Sequence, residues 1–497
     1  MRRFLNYSNS LFAVFVLLIS CKLAIPDKII EWKACQFASS CLCKKVSGSE
    51  NLIADCSDKD ILRIPRLTNN LQDLSLKNNN ISTIEDGIFD GNSLLITLDL
   101  SFNRISQIRI SSFKGLTNLL SLNLSNNDLK YEHKSFEYSA FYFLENLKNL
   151  NLKRNANTSF MPDLWKLRSL ESLSMDYVSD TIAIFDEKFA NLKNLTNIDL
   201  SGFTGNCKMT ILTEKTFLYL PQITYLNLSK CKIRYILKGT FSFLRNIFEL
   251  DVSFNTCLRF EALENITTDL QHSTIEILNV NYIHGLLGIS TVLKTSHICN
   301  LKNTSIVRLE AAGNHIQRIE SGALTYLPAS FKSVNVKDNI FSIGKYIFDL
   351  TAIPISILDI SDNDSPHNVI TSYVEECPIK EKTVTINSEN NWLFEKLPIL
   401  EMLKNKAGMF VFPVPRKMKT VSLRSSNLKF ELPNLSFSAN EIEYLSLSDN
   451  VLHTWTGPFT NLKKTDTFRP IDKLLFKCFK DIFQFRFHQF KILTATK

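Results

Sequence analysis

Glycine is scarce in this chain, at 14 of 497 residues, and nowhere does it gather into the spaced clusters that cradle phosphates. There is no Gly-x-Gly-x-x-Gly, no Gly-Lys-Ser/Thr loop, no His-Glu-x-x-His and no Gly-x-Ser-x-Gly. The eight histidines are scattered without ligand spacing; His315 and His453 read as solvated surface residues. These gaps exclude the common nucleotide, metal and hydrolase chemistries, so no catalytic residue, metal site or cofactor is expected. After the first twenty or so residues no apolar run is long enough to cross a bilayer, which takes about 20 residues. The net charge of +8 is also less than it looks. Arg2 and Arg3 and a surplus of six basic residues between Lys463 and Lys497 account for all of it. The body of the chain is neutral, which disfavours a nucleic-acid partner.

What is present is a returning phrase. Leu71, Leu74, Leu76, Asn79 and Ile81 are followed by Leu95, Leu98, Leu100, Asn103 and Ile105, then by Leu119, Leu122, Leu124, Asn127 and Leu129. Each copy is trailed by a buried-looking Phe, at Phe89, Phe113 and Phe136. This is the leucine-rich-repeat signature, in which stacked turns share one core and none is stable alone. The expected fold is an α/β repeat: a leucine-rich-repeat solenoid, or horseshoe, with short parallel strands on its concave face. Its leucines point inward, the residues between them outward. The Asn at each bend is placed to bond the backbone of neighbouring turns.

The phrase weakens in places. Val178, Phe203 and Ile283 fall in or near the Asn slot, Gly202–Phe217 is too long for one turn, and Ser426 takes the slot late in the chain. Residues 364–417 hold only a faint copy around Val384 and Ile386. The last clear phrase surrounds Asn450. The expected division is therefore a signal peptide at 1–21, a cap at 22–60, a solenoid of about fifteen repeats at 61–462 and a basic, Phe-rich, non-repeat tail at 463–497. The alternation Phe483, Phe485, Phe487 could form one last strand, but the tail is read as unrelated to the fold.

Residues 1–21 have two arginines, an apolar run and small residues at a cleavage point, as secretory leaders do. Nine Asn-x-Ser/Thr sequons follow: Asn80, Asn123, Asn157, Asn194, Asn227, Asn265, Asn303, Asn363 and Asn434. Together they point to the secretory pathway and an extracellular, glycosylated product. Cys35, Cys41, Cys43 and Cys56 cluster just before the first repeat. Their Cys-x-Cys spacing is poor for zinc, so two disulfides are expected, with three connectivities open. Such a cluster would cover the open core edge of the first turn. Cys231 and Cys257 read as buried thiols, Cys231 standing in an Asn slot. The pairing of Cys207, Cys231, Cys257, Cys299, Cys377 and Cys478 is left undetermined by the spacing.

On the concave face the outward positions include Asp73, Asp99, Asp176, Asp199, Glu249, Asp251, Glu310 and Asp359. Against them stand Lys77, Lys153, Arg308, Lys337 and Arg424. The face leans acidic and carries two sequons, Asn123 and Asn227, so binding along a side face is expected instead.

Taken together, the leader, cap, uneven repeats and dense sequons resemble a Toll-like receptor ectodomain over residues 35–462, apparently truncated before the C-terminal cap. The stretch Leu226-Asn-Leu-Ser-Lys-Cys231-Lys-Ile233 through to Asn255 is similar to invertebrate or fish members. The cysteine cluster resembles the N-terminal cap of extracellular leucine-rich-repeat proteins, which implies the pairs Cys35–Cys43 and Cys41–Cys56. The receptor resemblance implies recognition of microbial ligands or a partner receptor in innate immunity, with dimerisation of ectodomains. A C-terminal cysteine cap, a membrane anchor and a signalling domain are not seen in the chain. The alternative readings are a secreted or matrix-associated adhesion protein and a soluble decoy.

Overall fold

The computed structural model describes residues 32–130, 135–155, 162–285, 291–341, 345–363, 410–423, 435–439, 442–446 and 484–486. The expected leader, Asn157, Asn434, Cys377, Cys478, His453, Arg424, Ser426, Asn450, the faint copy at Val384 and Ile386 and nearly all of the tail lie outside them.

The chain is a leucine-rich-repeat solenoid. Its concave face is a parallel sheet that begins at Leu52–Asp55 and Leu71–Ser75 and advances turn by turn to Tyr444–Ser446. Most three-residue strands bury their middle residue, and several leave both neighbours half-exposed, as at Thr97–Asp99, Ser121–Asn123 and Glu249–Asp251. That pattern follows from the strand period of two, with Leu98, Leu122 and Leu250 inside. Strand Ile357–Asp359 pairs directly with Thr420–Ser422 in the concave sheet.

On the convex side a file of phenylalanines fills each turn. Phe113 stacks on Phe141 at 6.1 Å, and Phe185, Phe217 and Phe241 follow at 5.8 Å spacings. The third member of the file is thus Phe141 and not Phe136. Phe136 is buried too, but its backbone bridges Ile108 on the flank. The repeat there is longer than its neighbours, and the extra residues carry the convex position further along the chain.

Asparagine holds successive turns together. Asn127 donates from Nδ2 to the carbonyls of Leu100 and Leu124, both at 3.0 Å, and its Oδ1 accepts from the Ile105 amide at 2.9 Å. Asn79, Asn103, Asn155, Asn255, Asn314 and Asn339 bridge their own and the preceding turn in the same way. These groups face the bends, where the strand hydrogen bonding stops and buried carbonyls would otherwise lack donors. The residue before each rung is left-handed, as at Phe102 (φ 56°), Phe254 (φ 57°) and Tyr282 (φ 53°).

The N-terminal edge is closed by antiparallel strands Lys33–Ala34, Leu42–Lys45 and Leu52–Asp55. Disulfides Cys35–Cys43 and Cys41–Cys56 pin them, with all four cysteines buried. At the other end, Gln484–Arg486 lies antiparallel on Tyr444–Ser446. This departs from the reading of the tail as unrelated to the fold: the segment around Phe485 adds a short strand beside Tyr444–Ser446.

Replacing Asn127 with Ala removes three partners at once, each unsatisfied buried group costing about 1–3 kcal/mol. Faster amide exchange is expected at Ile105 and its neighbouring turns, with distant turns unchanged, because each turn contacts only its neighbours.

Candidate binding surfaces

The concave face holds a shallow trough of about 500 Å³ between the cap and the third repeat, bordered by Trp32, Asp55, Asp73, Asp99, Ser121 and Asn123. Its acids have local work. Asp99 Oδ1 accepts from the Ser101 amide at 2.8 Å, and Asp199, Asp251 and Asp359 repeat that bond to Ser201, Ser253 and Ser361. Asn123, Asn227, Asn279 and Asn335 do the same. The third strand position therefore caps the bend that follows, as short Asx side chains do. This second ladder was visible in the recurring Asx-x-Ser spacing but was read as surface charge. It also generates sequons: Asn123-Leu-Ser125 and Asn227-Leu-Ser229 have the spacing of a glycosylation signal because that spacing caps the bend.

Further along the face, charge is partly neutralised in place. Arg308 pairs with Glu310 at 2.5 Å and Lys337 with Asp359 at 3.5 Å. Burial, with repulsion from Asp251, pushes the Glu249 carboxyl up, and burial does the same to Asp251. Two expected surface residues are not on the surface. Lys153 and Asp176 are 2% and 1% exposed, beneath the loop at 202–206. Lys153 Nζ donates to Asp199 at 3.0 Å and to the Ser201 carbonyl at 2.7 Å. Asp176 accepts the amides of Arg154, Asn155 and Asn206. Burial lowers the Lys153 pKa, against the pull of Asp199 and Asp176. The loop closes over them because Gly205 has no side chain: a Cβ there would lie 2.4 Å from Asp176 Oδ1. The extra length at 202–217 is thus a lid on a buried ion pair.

At the corner between the concave face and the following flank runs an aromatic file. Phe203 meets Phe254 edge-on at 4.7 Å, Phe254 stacks on Tyr282 at 4.5 Å, and Tyr282 donates its hydroxyl proton to Asp338 at 2.6 Å. The Tyr282 ring lies so close to Gly313 that a Cβ would come within 2.1 Å of it. The Lys230 ammonium sits 5.0 Å above Phe203.

The flank itself carries a three-stranded parallel sheet, Tyr177–Ile182, Cys207–Leu212 and Tyr235–Ile236. Cys207 and Cys231 form a disulfide across adjacent turns. Cys231 is therefore not the buried thiol expected from its slot: sequence spacing could not show that the preceding insertion brings Cys207 to it. Its amide still donates to Asn255 Oδ1 at 2.9 Å, so the ladder continues through it. Cys257 is disulfide-bonded as well, while Cys299 is a free thiol.

Imidazoles gather behind the helix Glu261–Asp269. His284 stacks on Phe260 at 4.4 Å and His297 lies 5.9 Å from the same ring. His315, expected to be solvated, is half-buried and bonds the His284 carbonyl through Nδ1 at 3.0 Å. Burial pulls the His284 pKa down to about 4, and burial lowers His297 as well. Among the described residues no group of His, Cys, Asp and Glu is arranged to hold a metal ion.

With this geometry in place, the comparisons with known proteins are consistent. The leucine rich repeat family signature matches residues 69–129. Toll-like receptor 4 of Pinctada imbricata is 28% identical over 369 residues, covering 68% of this chain and 41% of that protein. Toll-like receptor 3 of Bos taurus is 33% identical over 200 residues, covering 37% of this chain and 21% of that protein. The chain thus spans less than half the length of these relatives. Among solved structures, the TLR13–ssRNA13 complex aligns with a TM-score of 0.43 at 17% identity, covering 86% of this chain and 68% of that one. Human 5T4 (Wnt-activated inhibitory factor 1, trophoblast glycoprotein) aligns with a TM-score of 0.38 at 21% identity, covering 47% and 87%. The class is a leucine-rich-repeat solenoid with a disulfide cap. Within it, this chain is similar to Toll-like receptors.

Two measurements test the site geometry. His284 titrates near 4 when folded and near 6.5 when free, so between those values the unfolded chain binds more protons. Its contribution is complete above pH 6.5 and is lost as pH falls toward 4. Thermal melts should show that loss, and His284→Phe, which keeps a stacked ring, should flatten the slope in that window. For the sequons, Asn194 and Asn303 are exposed. Asn363 instead turns its amide nitrogen inward to the carbonyls of Ile360 and Ser361. Glycopeptide mapping of the secreted chain is expected to find glycans at Asn194 and Asn303 and none at Asn363.

Proposed function

We propose that this chain is the recognition part of a Toll-type pattern-recognition receptor, binding a microbial ligand or a partner receptor in innate immunity. The observation that carries the reading is the similarity to a Toll-like receptor over 369 residues, far longer than a few shared repeats would produce. Three disulfides among the described residues fit an oxidising, secretory route and an extracellular position. No helix among the described residues is long and apolar enough to cross a membrane. The concave face supports a ligand other than nucleic acid, since its exposed groups are mainly acids and amides, and Arg308 and Lys337 are paired with carboxylates. It also favours contact along a side face, because glycans at Asn123 and Asn227 would stand on the concave strands.

The test is to titrate the purified, glycosylated chain with fractionated microbial cell-wall material while following its mass by sedimentation. Saturable binding with a doubling of mass is the expected result. Binding to collagen or a cell-surface protein without a change of mass would instead support the adhesion reading. Saturable binding of microbial material by a chain that stays monomeric would support the decoy reading.

A further inference from the structure

Among the described residues the flank sheet buries one side and leaves the other, which carries apolar side chains together with Lys208, partly exposed. Met209, Leu212, Ala183 and Ile236 face the core and are at most 3% exposed. On the outer side the strand register sets Ile211 opposite both Ile182 and Tyr235, making one continuous row. Ile182 and Tyr235 are 45% and 50% exposed, and Ile184 and Leu237 beyond them are 45% and 47% exposed. A contiguous apolar face of this kind marks a contact surface, unlike single scattered apolar residues.

Charge around the row says what would cover it. The segment 232–238 carries three basic residues, Lys232, Arg234 and Lys238, and no acidic one. Arg234 lies within the row's own turn, next to Tyr235. Asp186 and Glu214 follow the first two strands, toward the convex side. The surface is a flat sheet and not a cleft, so it suits a protein face and offers no channel for an acyl chain. A symmetric second copy would set two basic borders against each other, which is unfavourable. Tyr235, at the end of the row, and Arg234 beside it are of the residue types on which binding energy concentrates. The Cys207–Cys231 disulfide ties the middle strand to the next turn, so the row is held in shape before any partner arrives. None of the sequons falls in the three strands. Asn265 borders them, its amide nitrogen donating to the Ile236 carbonyl at 2.9 Å.

We propose that this row docks an acidic protein surface that presents apolar side chains at its centre, with Tyr235 and Leu237 as anchors and Arg234 as the charge that selects it. The proposal deepens the receptor reading and rests on it, since it names the face and chemistry of a protein partner.

The experiment is a selection of short random peptides on phage against the full glycosylated chain, followed by binding assays on variants. Tyr235→Ala, Leu237→Asp and Arg234→Glu alter exposed or half-exposed side chains; Leu94→Asp, at an equally exposed apolar site elsewhere, is the control. The expected peptides combine Asp or Glu with aromatic or aliphatic residues. They should lose about tenfold or more in affinity on each flank variant, keep it on the control, and weaken at high salt. Selection of basic or uncharged peptides, binding indifferent to the flank variants, or no selection at all would overturn the site. If microbial material still binds the wild-type chain in that case, the docking site fails and the receptor reading stands; if neither binds, both fail.

Discussion

The regular turns of this molecule depend on a side-chain amide that does the work of missing backbone. The concave strands are only a few residues long, and where each ends, the chain must bend while its carbonyls stay buried. Water cannot reach them, and the neighbouring backbone has already turned away. Asn supplies two N–H donors and one acceptor on a short, stiff stem, which matches the two carbonyls and one amide left over at each bend. Asp would bring two acceptors and a charge, and Leu would bring nothing, so the slot is narrow in chemistry as well as in space.

The two irregular rungs show how much latitude this constraint allows. At Asp176 the partners are inverted: three backbone amides converge on the carboxylate, and the charge is balanced nearby by a buried lysine. At Cys231 the donor is absent, and a disulfide to the preceding turn supplies a covalent link where hydrogen bonds are fewer. Both occur next to the longest insertion in the early solenoid, and both let the chain form features that regular turns exclude. The lid over Lys153 and the flank sheet arise there. Irregularity in the repeat is therefore where new surface appears, since a perfect turn presents the same faces as its neighbours.

Much of the fold was legible because the solenoid is quasi-one-dimensional. Leu98, Asn103 and Phe113 have structural roles that their spacing alone announces, since each turn meets only the turns beside it. The candidate surfaces were less legible. Asp99 and Asp251 read as a ligand-facing charge, yet half of what they do is cap a bend. Tyr235 and Ile182 lie more than fifty residues apart and carry no motif; the flank sheet that sets both against Ile211 depends on an insertion whose path the phrase does not describe. His315 read as solvated because it follows a repeat bend, whereas in space it bonds the His284 carbonyl of another turn.

By itself the sequence determined the repeat, its inward leucines, its bridging asparagines and the cap, because these rest on local spacing and residue chemistry. Tertiary structure alone decided which cysteines met, which charges were buried and which apolar residues formed one face. Those outcomes depend on how insertions fold across neighbouring turns, and distance in space there is no longer a function of distance along the chain.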